Sequence, residues 1–218
     1  MYRQIDLQLF GGRGAGASGR YGGGGGLDPA DILSTTSLIS EKGINEQMAG
    51  EILGTCRDVY DEYGMQLDDL HLATLKPGAD AIAYYDGANV GWNKTYFDTQ
   101  KLESSYADCV KTGFHPSNGK RTAAEAAAAH ELGHALTDKA GIKMGVSGID
   151  NIATRIVSEA RAQTKHRGVV QMSRKISTYA THSNAEAIAE AFADVYCNGK
   201  KARSESRAII NVLNKYAK

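Results

Sequence analysis

The sequence lacks any excess of charge of one sign. Lys and Arg together number 25, Asp and Glu also number 25, and the formal net charge of the 218-residue chain is +0. A chain without a net field gains no long-range attraction to nucleic acid or to an anionic membrane. We therefore expect neither nucleic acid nor a membrane among its partners.

Cysteine is scarce as well. The three residues Cys56, Cys109 and Cys197 are odd in number, far apart and without a C-x-x-C pair. This pattern argues against both a disulfide framework and a cysteine-rich zinc site. A reducing compartment fits it better than an oxidising one.

Long apolar runs are missing too. No window approaches 18 consecutive apolar residues, so no membrane-spanning helix is expected. The opening stretch MYRQIDLQLFGG has a charge inside its only apolar run, which is not typical of a secretory signal. The sequence therefore predicts neither a signal peptide nor a transmembrane segment.

Glycine, in contrast, is concentrated near the start of the chain. Positions 11–26 hold ten glycines among sixteen residues, and such a segment loses too much entropy on ordering to fold unaided. This predicts a flexible arm over 1–26, followed by one domain over 27–218. A phosphate-binding loop is disfavoured because no G-K-[ST] ending follows. Residues 1–10 alternate between apolar and polar side chains, which suits a short strand or a docking peptide.

The strongest motif is H-E-x-x-H, formed by His130, Glu131 and His134. It follows a helix-start pattern in which Thr122 and Glu125 can form a capping box. Residues four apart share a helix face, so the two imidazoles can converge on one zinc ion. Glu131 is better placed to serve as general base toward a water molecule that the metal activates. The competing interpretation is an alanine-rich helix with two surface histidines.

Two glycines of this helix carry predictions of their own. Gly141 has the character of a C-terminal stop, so the helix is expected to end there. Gly133 stands inside the helix, where it costs about 1 kcal/mol relative to alanine. Such a cost indicates that another element packs closely against this position.

The remaining periodicity predicts a mostly helical α+β domain with a small antiparallel sheet packed over the motif helix. The edge strand of this sheet either binds an extended peptide by strand addition or only covers the helix, and the pattern leaves both open. His115 is expected to be an ordinary solvated loop histidine. The predicted strands are 67–75, 81–85 and 90–97, the other predicted helices are 28–43, 45–63, 99–112 and 150–164, and the predicted loops are 113–120 and 165–177.

Two histidines leave a zinc site at least one protein ligand short. The extended pattern H-E-x-x-H-x-x-G-x-x-H fails because Thr137 and Ala140 stand in place of its glycine and its third histidine. The missing ligand must therefore come from downstream. An acidic helix there places Glu186, Glu190 and Asp194 on one face, where a cation such as zinc would relieve their mutual repulsion.

The same acidic residues also have a local interpretation. Ser183 and Glu186 could form a capping box, or Asn184 could cap the helix while Glu186 favours its dipole. From the residue pattern alone, the choice between Glu186 and Glu190 as third ligand stays open.

The order HELGH followed by Y-x6-E-x3-E-A-F resembles gluzincin-type zinc metallopeptidases, both the anthrax lethal factor catalytic domain and the zincin-like metallopeptidases encoded by phages and prophages. The resemblance implies a zincin-like fold with Zn²⁺ held by His130, His134 and Glu186. It also implies that Tyr179 hydrogen-bonds the oxyanion of the tetrahedral intermediate. Glu190 is implied to orient a histidine ligand.

The sequence thus predicts a zinc-dependent metalloendopeptidase that hydrolyses peptide bonds with a metal-activated water. The resemblance implies phage or prophage origin, with the cytoplasm of a bacterial host or the virion as location. Expected partners are a protein or peptide substrate and, through residues 1–10, phage structural proteins. Two alternatives stay open. One is a phage head or morphogenesis component that uses a zincin-like fold as a binding module, and the other is a toxin or effector protease delivered into a cell.

Overall fold

A computed structural model describes residues 29–38, 41–66, 69–79 and 81–218. The predicted arm over 1–26, with its docking peptide, lies outside the described residues. Within the described ranges the chain is mostly helical and forms one small sheet. In chain order the elements are β1 (Ile32–Ser37), α1 (Glu46–Tyr63), β2 (Asp69–Leu75), β3 (Ala83–Tyr85), β4 (Asn89–Asn93), α2 (Thr99–Thr112), α3 (Ala123–Met144), α4 (Ile149–Ala162), α5 (Val169–Ser173), α6 (Asn184–Asn198) and α7 (Ser204–Ala217).

The sheet is mixed, with strand order β1-β2-β4-β3. The pairs β1–β2 and β3–β4 are antiparallel, whereas β2 and β4 run parallel. The prediction of an antiparallel sheet is therefore wrong at one pairing, because the β3–β4 hairpin places its second strand, and not its first, beside β2. As a result β3 lies at an edge of the sheet. It contacts α3, so the sheet does pack over the motif helix as predicted.

The start of the domain differs most from the prediction. The helix expected over 28–43 is absent from the described part of that range, where a 3-10 turn at Pro29–Asp31 leads into β1. The sequence of β1, ILSTTS, is rich in β-branched and hydroxyl side chains, and its backbone pairs with β2. Pairing with a distant strand outweighs the local helix-start signal that Pro29 supplies.

Helix α3, which carries H-E-x-x-H, lies at the centre of the molecule. It contacts α1, α2, α4, α6, α7 and β3, and every residue from Ala123 to Thr137 except Glu125 is buried. The predicted capping box is confirmed. The Glu125 amide donates to Thr122 Oγ1 at 3.2 Å, and the Thr122 amide donates to Glu125 Oε2 at 2.8 Å. The motif is thus held by a helix whose start is fixed locally and whose faces are fixed by packing.

The predicted stop at Gly141 is wrong. The helix continues to Met144 and ends at Gly145, whose φ of 63° is the left-handed conformation typical of a helix C-terminus. Gly141 has a packing role instead, because a Cβ built there would lie 2.8 Å from the carbonyl oxygen of Val146 and would overlap Ile152 of α4. Only glycine fits at this position between the Val146 carbonyl and the Ile152 side chain.

Three other helices lie where the periodicity predicts them. Helix α1 begins after Asn45, whose Oδ1 accepts a hydrogen bond from the Met48 amide at 3.1 Å, and α2 and α4 match their predicted spans closely. The predicted loop over 165–177 is wrong in part, since it contains α5. In the described part of the chain, no helix combines the length and the apolar character needed to cross a membrane.

Candidate metal centre

Three buried side chains bring potential ligand atoms together between α3 and α6. One atom each from His130, His134 and Glu186 lie within 4.8 Å of one another. Glu186 Oε2 is 3.1 Å from His130 Nε2 and 3.6 Å from His134 Nε2. This group could hold a metal ion. Helix α3 supplies the two imidazoles from one face, and the first turn of α6 supplies the carboxylate.

A close helix contact brings α6 to the histidines. A Cβ built on Gly133 would lie 2.8 Å from Ala189 Cα and 3.2 Å from Phe192 Cβ. The expectation that another element packs tightly against Gly133 is therefore confirmed. Because the two backbones approach this closely, the side chain of Glu186 reaches the imidazoles on the facing helix.

The two local interpretations of the start of α6 have different outcomes. Ser183 is the N-cap, and its Oγ accepts a hydrogen bond from the Glu186 amide at 3.1 Å. Asn184 is the first helical residue and donates from Nδ2 to Thr154 Oγ1 at 3.1 Å, so it does not act as the cap. The carboxylate of Glu186 faces the imidazoles. Capping at this turn therefore uses the backbone of Glu186 and leaves its side chain for the cluster.

The electrostatics of the cluster are governed by these contacts. Burial alone would raise the pKa of Glu186, but the imidazoles of His134 and His130 hold it at about 2. Burial also opposes protonation of His130, yet the carboxylates of Glu186 and Glu190 raise its pKa to about 10. Metal binding displaces protons from such ligands, so a cation at this point would take over the neutralising charge that the imidazole proton supplies.

Glu131 stands out as a buried acid without donors. Its side chain is fully buried, and neither carboxylate oxygen accepts a hydrogen bond from any described residue. Burial raises the pKa of Glu131 to about 7, against the opposing effect of His130 and His134. A carboxylate in this position destabilises the fold, and such groups are concentrated at functional sites. The competing interpretation of surface histidines is wrong, because both imidazoles are 1% exposed.

Glu190 contacts the opposite side of the His130 ring from Glu186. Its Oε1 accepts a hydrogen bond from His130 Nδ1 at 2.9 Å, while Nε2 of the same ring faces Glu186. Burial would raise the pKa of Glu190, but the imidazoles of His115 and His130 lower it well below its usual range. The geometry thus distinguishes the two carboxylates between which the sequence left the choice of third ligand open. Glu186 meets Nε2 of both motif histidines, whereas Glu190 meets Nδ1 of one.

His115 is not the solvated loop histidine that was expected. It is 1% exposed, its ring stacks on Tyr106 with centroids 5.5 Å apart and an interplanar angle of 9°, and its Nδ1 donates to Glu190 Oε1 at 2.9 Å. Ser177, also buried, donates from Oγ to Glu190 Oε2 at 2.6 Å. Neither residue belongs to a motif, so no sequence signal pointed to them.

Tyr179 lies beside the cluster on a 3-10 turn. Its ring centroid is 5.9 Å from that of His130, and its side chain is 3% exposed. Burial raises the pKa of the Tyr179 hydroxyl far above its usual value, and the carboxylates of Glu186 and Glu131 raise it further. The hydroxyl therefore stays protonated and can donate a hydrogen bond at any ordinary pH.

A groove of about 810 Å³ opens along α3 next to the motif. Ala135 and Asp138 line one side of it, and the β3–β4 turn at 85–88 lines another. The groove therefore adjoins both the helix that carries the histidines and the end of the edge strand β3.

The fold and the site together define an α+β protein, mostly helical, with a buried His-His-Glu group that could hold a metal ion. Comparisons of the chain with protein-family models, with curated proteins and with solved structures find no match.

Proposed function

We propose that this chain is a zinc-dependent metalloendopeptidase of the gluzincin type, with a zincin-like fold and a metal centre made by His130, His134 and Glu186. One observation carries the proposal. Glu131 is a fully buried carboxylate that accepts no hydrogen bond from the described residues, and it belongs to the same helical turn as the two imidazoles. A histidine pair alone is consistent with structural metal binding, but an unpartnered acid beside it supports catalysis.

The three residues suit zinc. Two imidazole nitrogens and one carboxylate oxygen form a donor set common in catalytic zinc sites, which leave a further position open. Ligand atoms around a tetrahedral zinc ion lie about 3.5 Å apart. The distances of 3.1 and 3.6 Å from Glu186 Oε2 to the two Nε2 atoms are of this size. A zinc ion held by these residues would supply Lewis acidity and would lower the pKa of a water molecule that attacks a peptide carbonyl.

Glu131 and Tyr179 perform the remaining chemistry. The Glu131 carboxylate accepts the proton of the attacking water, and the raised pKa of about 7 allows it to pass that proton to the departing amide nitrogen. The Tyr179 hydroxyl, which stays protonated, donates a hydrogen bond to the oxyanion of the tetrahedral intermediate. Both groups adjoin the histidines, since Glu131 follows His130 in the motif helix and the ring centroid of Tyr179 is 5.9 Å from that of His130.

Peptide binding is supported by the groove at the end of the edge strand. Among the described residues β3 pairs only with β4, but its residues are at most 3% exposed, so its other side is covered and not open to strand addition. The groove beside Ala135 and Asp138 begins where β3 ends and offers space for substrate side chains. Of the two roles that the sequence left open for this strand, covering the motif helix fits its burial against α3 better.

The proposal is tested with Glu131→Gln in the zinc-loaded protein, using a peptide library read by mass spectrometry. The parent is expected to cleave the library. The variant should keep its zinc and lose about 10²–10⁴-fold in kcat, the range that general acid–base catalysis contributes. Glu125→Gln on the same helix is the matched control, because glutamine also serves in a capping box and activity should persist.

Two outcomes would contradict the proposal. Cleavage by Glu131→Gln at the parent rate would rule out the assigned base. Zinc retention without cleavage by the parent would reject the enzyme in favour of a binding module built on the same site.

A further inference from the structure

We propose that His115 and Ser177 are positioning residues of the metal centre, which act by locking the carboxylate of Glu190 against the ligand His130. This inference rests on the proposed function, because it concerns the same site. It goes beyond that function in assigning a task to two residues outside every motif, on a loop and a turn that flank the two ligand-bearing helices.

Glu190 accepts hydrogen bonds from three donors, and both of its oxygens are used. Its Oε1 accepts from His130 Nδ1 and from His115 Nδ1, both at 2.9 Å, and its Oε2 accepts from Ser177 Oγ at 2.6 Å. An ionised carboxylate only accepts hydrogen bonds, so both imidazoles must carry their proton on Nδ1. Nε2 of His130 is the nitrogen that faces Glu186, where a bound metal would take the place of the Nε2 proton.

His130 alone could not hold Glu190 in this way. A glutamate side chain rotates about three bonds, and a single hydrogen bond leaves the second oxygen free to turn. His115 and Ser177 fix both oxygens, and each of these bonds lies in a buried site where charge-assisted hydrogen bonds are strong. Removal of either donor should therefore loosen the ring of His130 and lower the affinity of the site for metal.

The position of His115 is itself determined by α2. Its ring stacks on Tyr106, and the Phe114 amide next to it donates to the Cys109 carbonyl at 2.8 Å. Both partners belong to α2. This helix supplies neither a ligand nor the base, yet through His115 it supports the orientation of His130.

The same network reaches the turn that carries Tyr179. Ser177 Oγ accepts a hydrogen bond from the Ala180 amide at 3.0 Å, and the Tyr179 amide donates to the Phe114 carbonyl at 3.1 Å. The rings of His115 and Tyr179 are 5.3 Å apart between centroids. Glu190 thus couples the orientation of a metal ligand to the placement of the oxyanion donor.

The test measures metal affinity directly, by chelator competition with Zn²⁺, and ligand geometry by the visible absorption spectrum of the Co²⁺-substituted protein. His115→Phe should bind zinc about 10–100-fold more weakly, the effect typical of losing a hydrogen-bond partner behind a ligand. His115→Asn should recover most of this affinity, because its amide can donate from near the Nδ1 position. Ser177→Ala should lower affinity less than His115→Phe and also alter the cobalt spectrum.

Two further variants separate the possible failures. His166→Phe removes a partly buried histidine that does not contact the cluster, since its Nε2 lies 2.8 Å from Glu205 Oε1. This variant should leave zinc affinity unchanged. Glu186→Ala should abolish tight binding. Retention of parent affinity by Glu186→Ala would overturn the metal centre itself.

A different result would overturn the positioning role alone. In that result Glu186→Ala loses zinc affinity, while His115→Phe and Ser177→Ala both keep the parent affinity and an unchanged cobalt spectrum. If His115→Phe does not fold, Ser177→Ala and His115→Asn decide the matter. A parent-like spectrum and affinity in Ser177→Ala would then reject the network.

Discussion

The acidic face of α6 carries buried carboxylates at both ends, but their surroundings differ. Glu186 and Glu190, in the first half of the helix, face imidazole rings. Asp194, one turn beyond Glu190, faces α7 and the turn before it. It accepts hydrogen bonds from Asn198 Nδ2 at 2.9 Å, from the Arg203 amide at 2.9 Å and from Ser206 Oγ at 2.6 Å.

Burial does not distinguish the two ends, since Glu186 is 7% exposed while Glu190 and Asp194 are each 1% exposed. The balance of donors and acceptors does. Asp194 accepts from side-chain and backbone donors that serve the fold, and the guanidinium of Arg203 lies 3.7 Å from its Oδ1. At the end that carries Glu186, the neighbouring acid is Glu131 of α3, whose oxygens have no hydrogen-bond donor among the described residues. Such an excess of acceptors beside the histidines is consistent with a group that could hold a metal ion.

The largest expected effect comes from removing one carboxylate at each end. Glu186→Ala should weaken zinc binding more than about 100-fold, the upper end of what a partner behind a ligand contributes, because the residue itself is a ligand. Asp194→Ala should keep its zinc but lose about 3 kcal/mol of unfolding free energy, since three donors are left unsatisfied. Zinc analysis after dialysis and urea unfolding measure the two effects. A folded Asp194→Ala variant without zinc would remove the contrast between the ends.

The next effect concerns how far the site extends beyond its ligands. Tyr179→Phe should lower kcat about 10²-fold, the loss typical of an oxyanion donor, and leave zinc affinity close to that of the parent. Steady-state kinetics on a peptide that the parent cleaves, with zinc analysis of the same samples, measure both quantities. If only KM rises and kcat is preserved, Tyr179 binds substrate without stabilising the transition state.

The smallest effect tests the close contact between α3 and α6 at Gly133. Gly133→Ala should lower the free energy of unfolding by about 1–2 kcal/mol despite the gain in helix propensity, because its Cβ would press on the Ala189 backbone. Gly50→Ala in α1 is the matched control. Apart from its chain neighbours and the local helix backbone, nothing lies within 4 Å of its new Cβ, so it should stabilise the protein by up to about 1 kcal/mol. Urea unfolding of both variants checks that their changes in the free energy of unfolding have opposite signs. Equal signs would show that α3 and α6 can separate without cost.

Local rules were sufficient for much of the motif helix. The capping box at Thr122, the face shared by His130 and His134, and the tight contact at Gly133 all follow from short-range geometry, and the structure contains each of them. Glu186 was different. The spacing of Glu186 and Glu190 places both on one face of α6. Which of them faces Nε2 of both histidines depends on how α6 packs against α3, and the sequence does not reveal this packing.

Three of the wrong predictions have a common physical origin in long-range pairing. His115 meets Glu190 across 75 positions of sequence, so no periodicity could reveal the contact. The first strand was assigned as a helix because Pro29 is a local signal, whereas its partner β2 lies beyond α1. The parallel pairing of β2 with β4 likewise depends on which strand of a hairpin lies inward. The catalytic roles of Glu131 and Tyr179 stay predictions.

The central position of α3 also bears on the lifetime of the site. Since the helix is enclosed by other elements along most of its length, its amide hydrogens should exchange with solvent only through unfolding of the domain. The two histidines therefore share the kinetic persistence of the fold. Tyr179 stands on a turn of only three residues, but the turn packs against α6, the Tyr179 side chain is 3% exposed and its amide donates to the Phe114 carbonyl. The turn should therefore be protected from exchange in the same way, and the residues of the proposed site should stay together for as long as the domain stays folded.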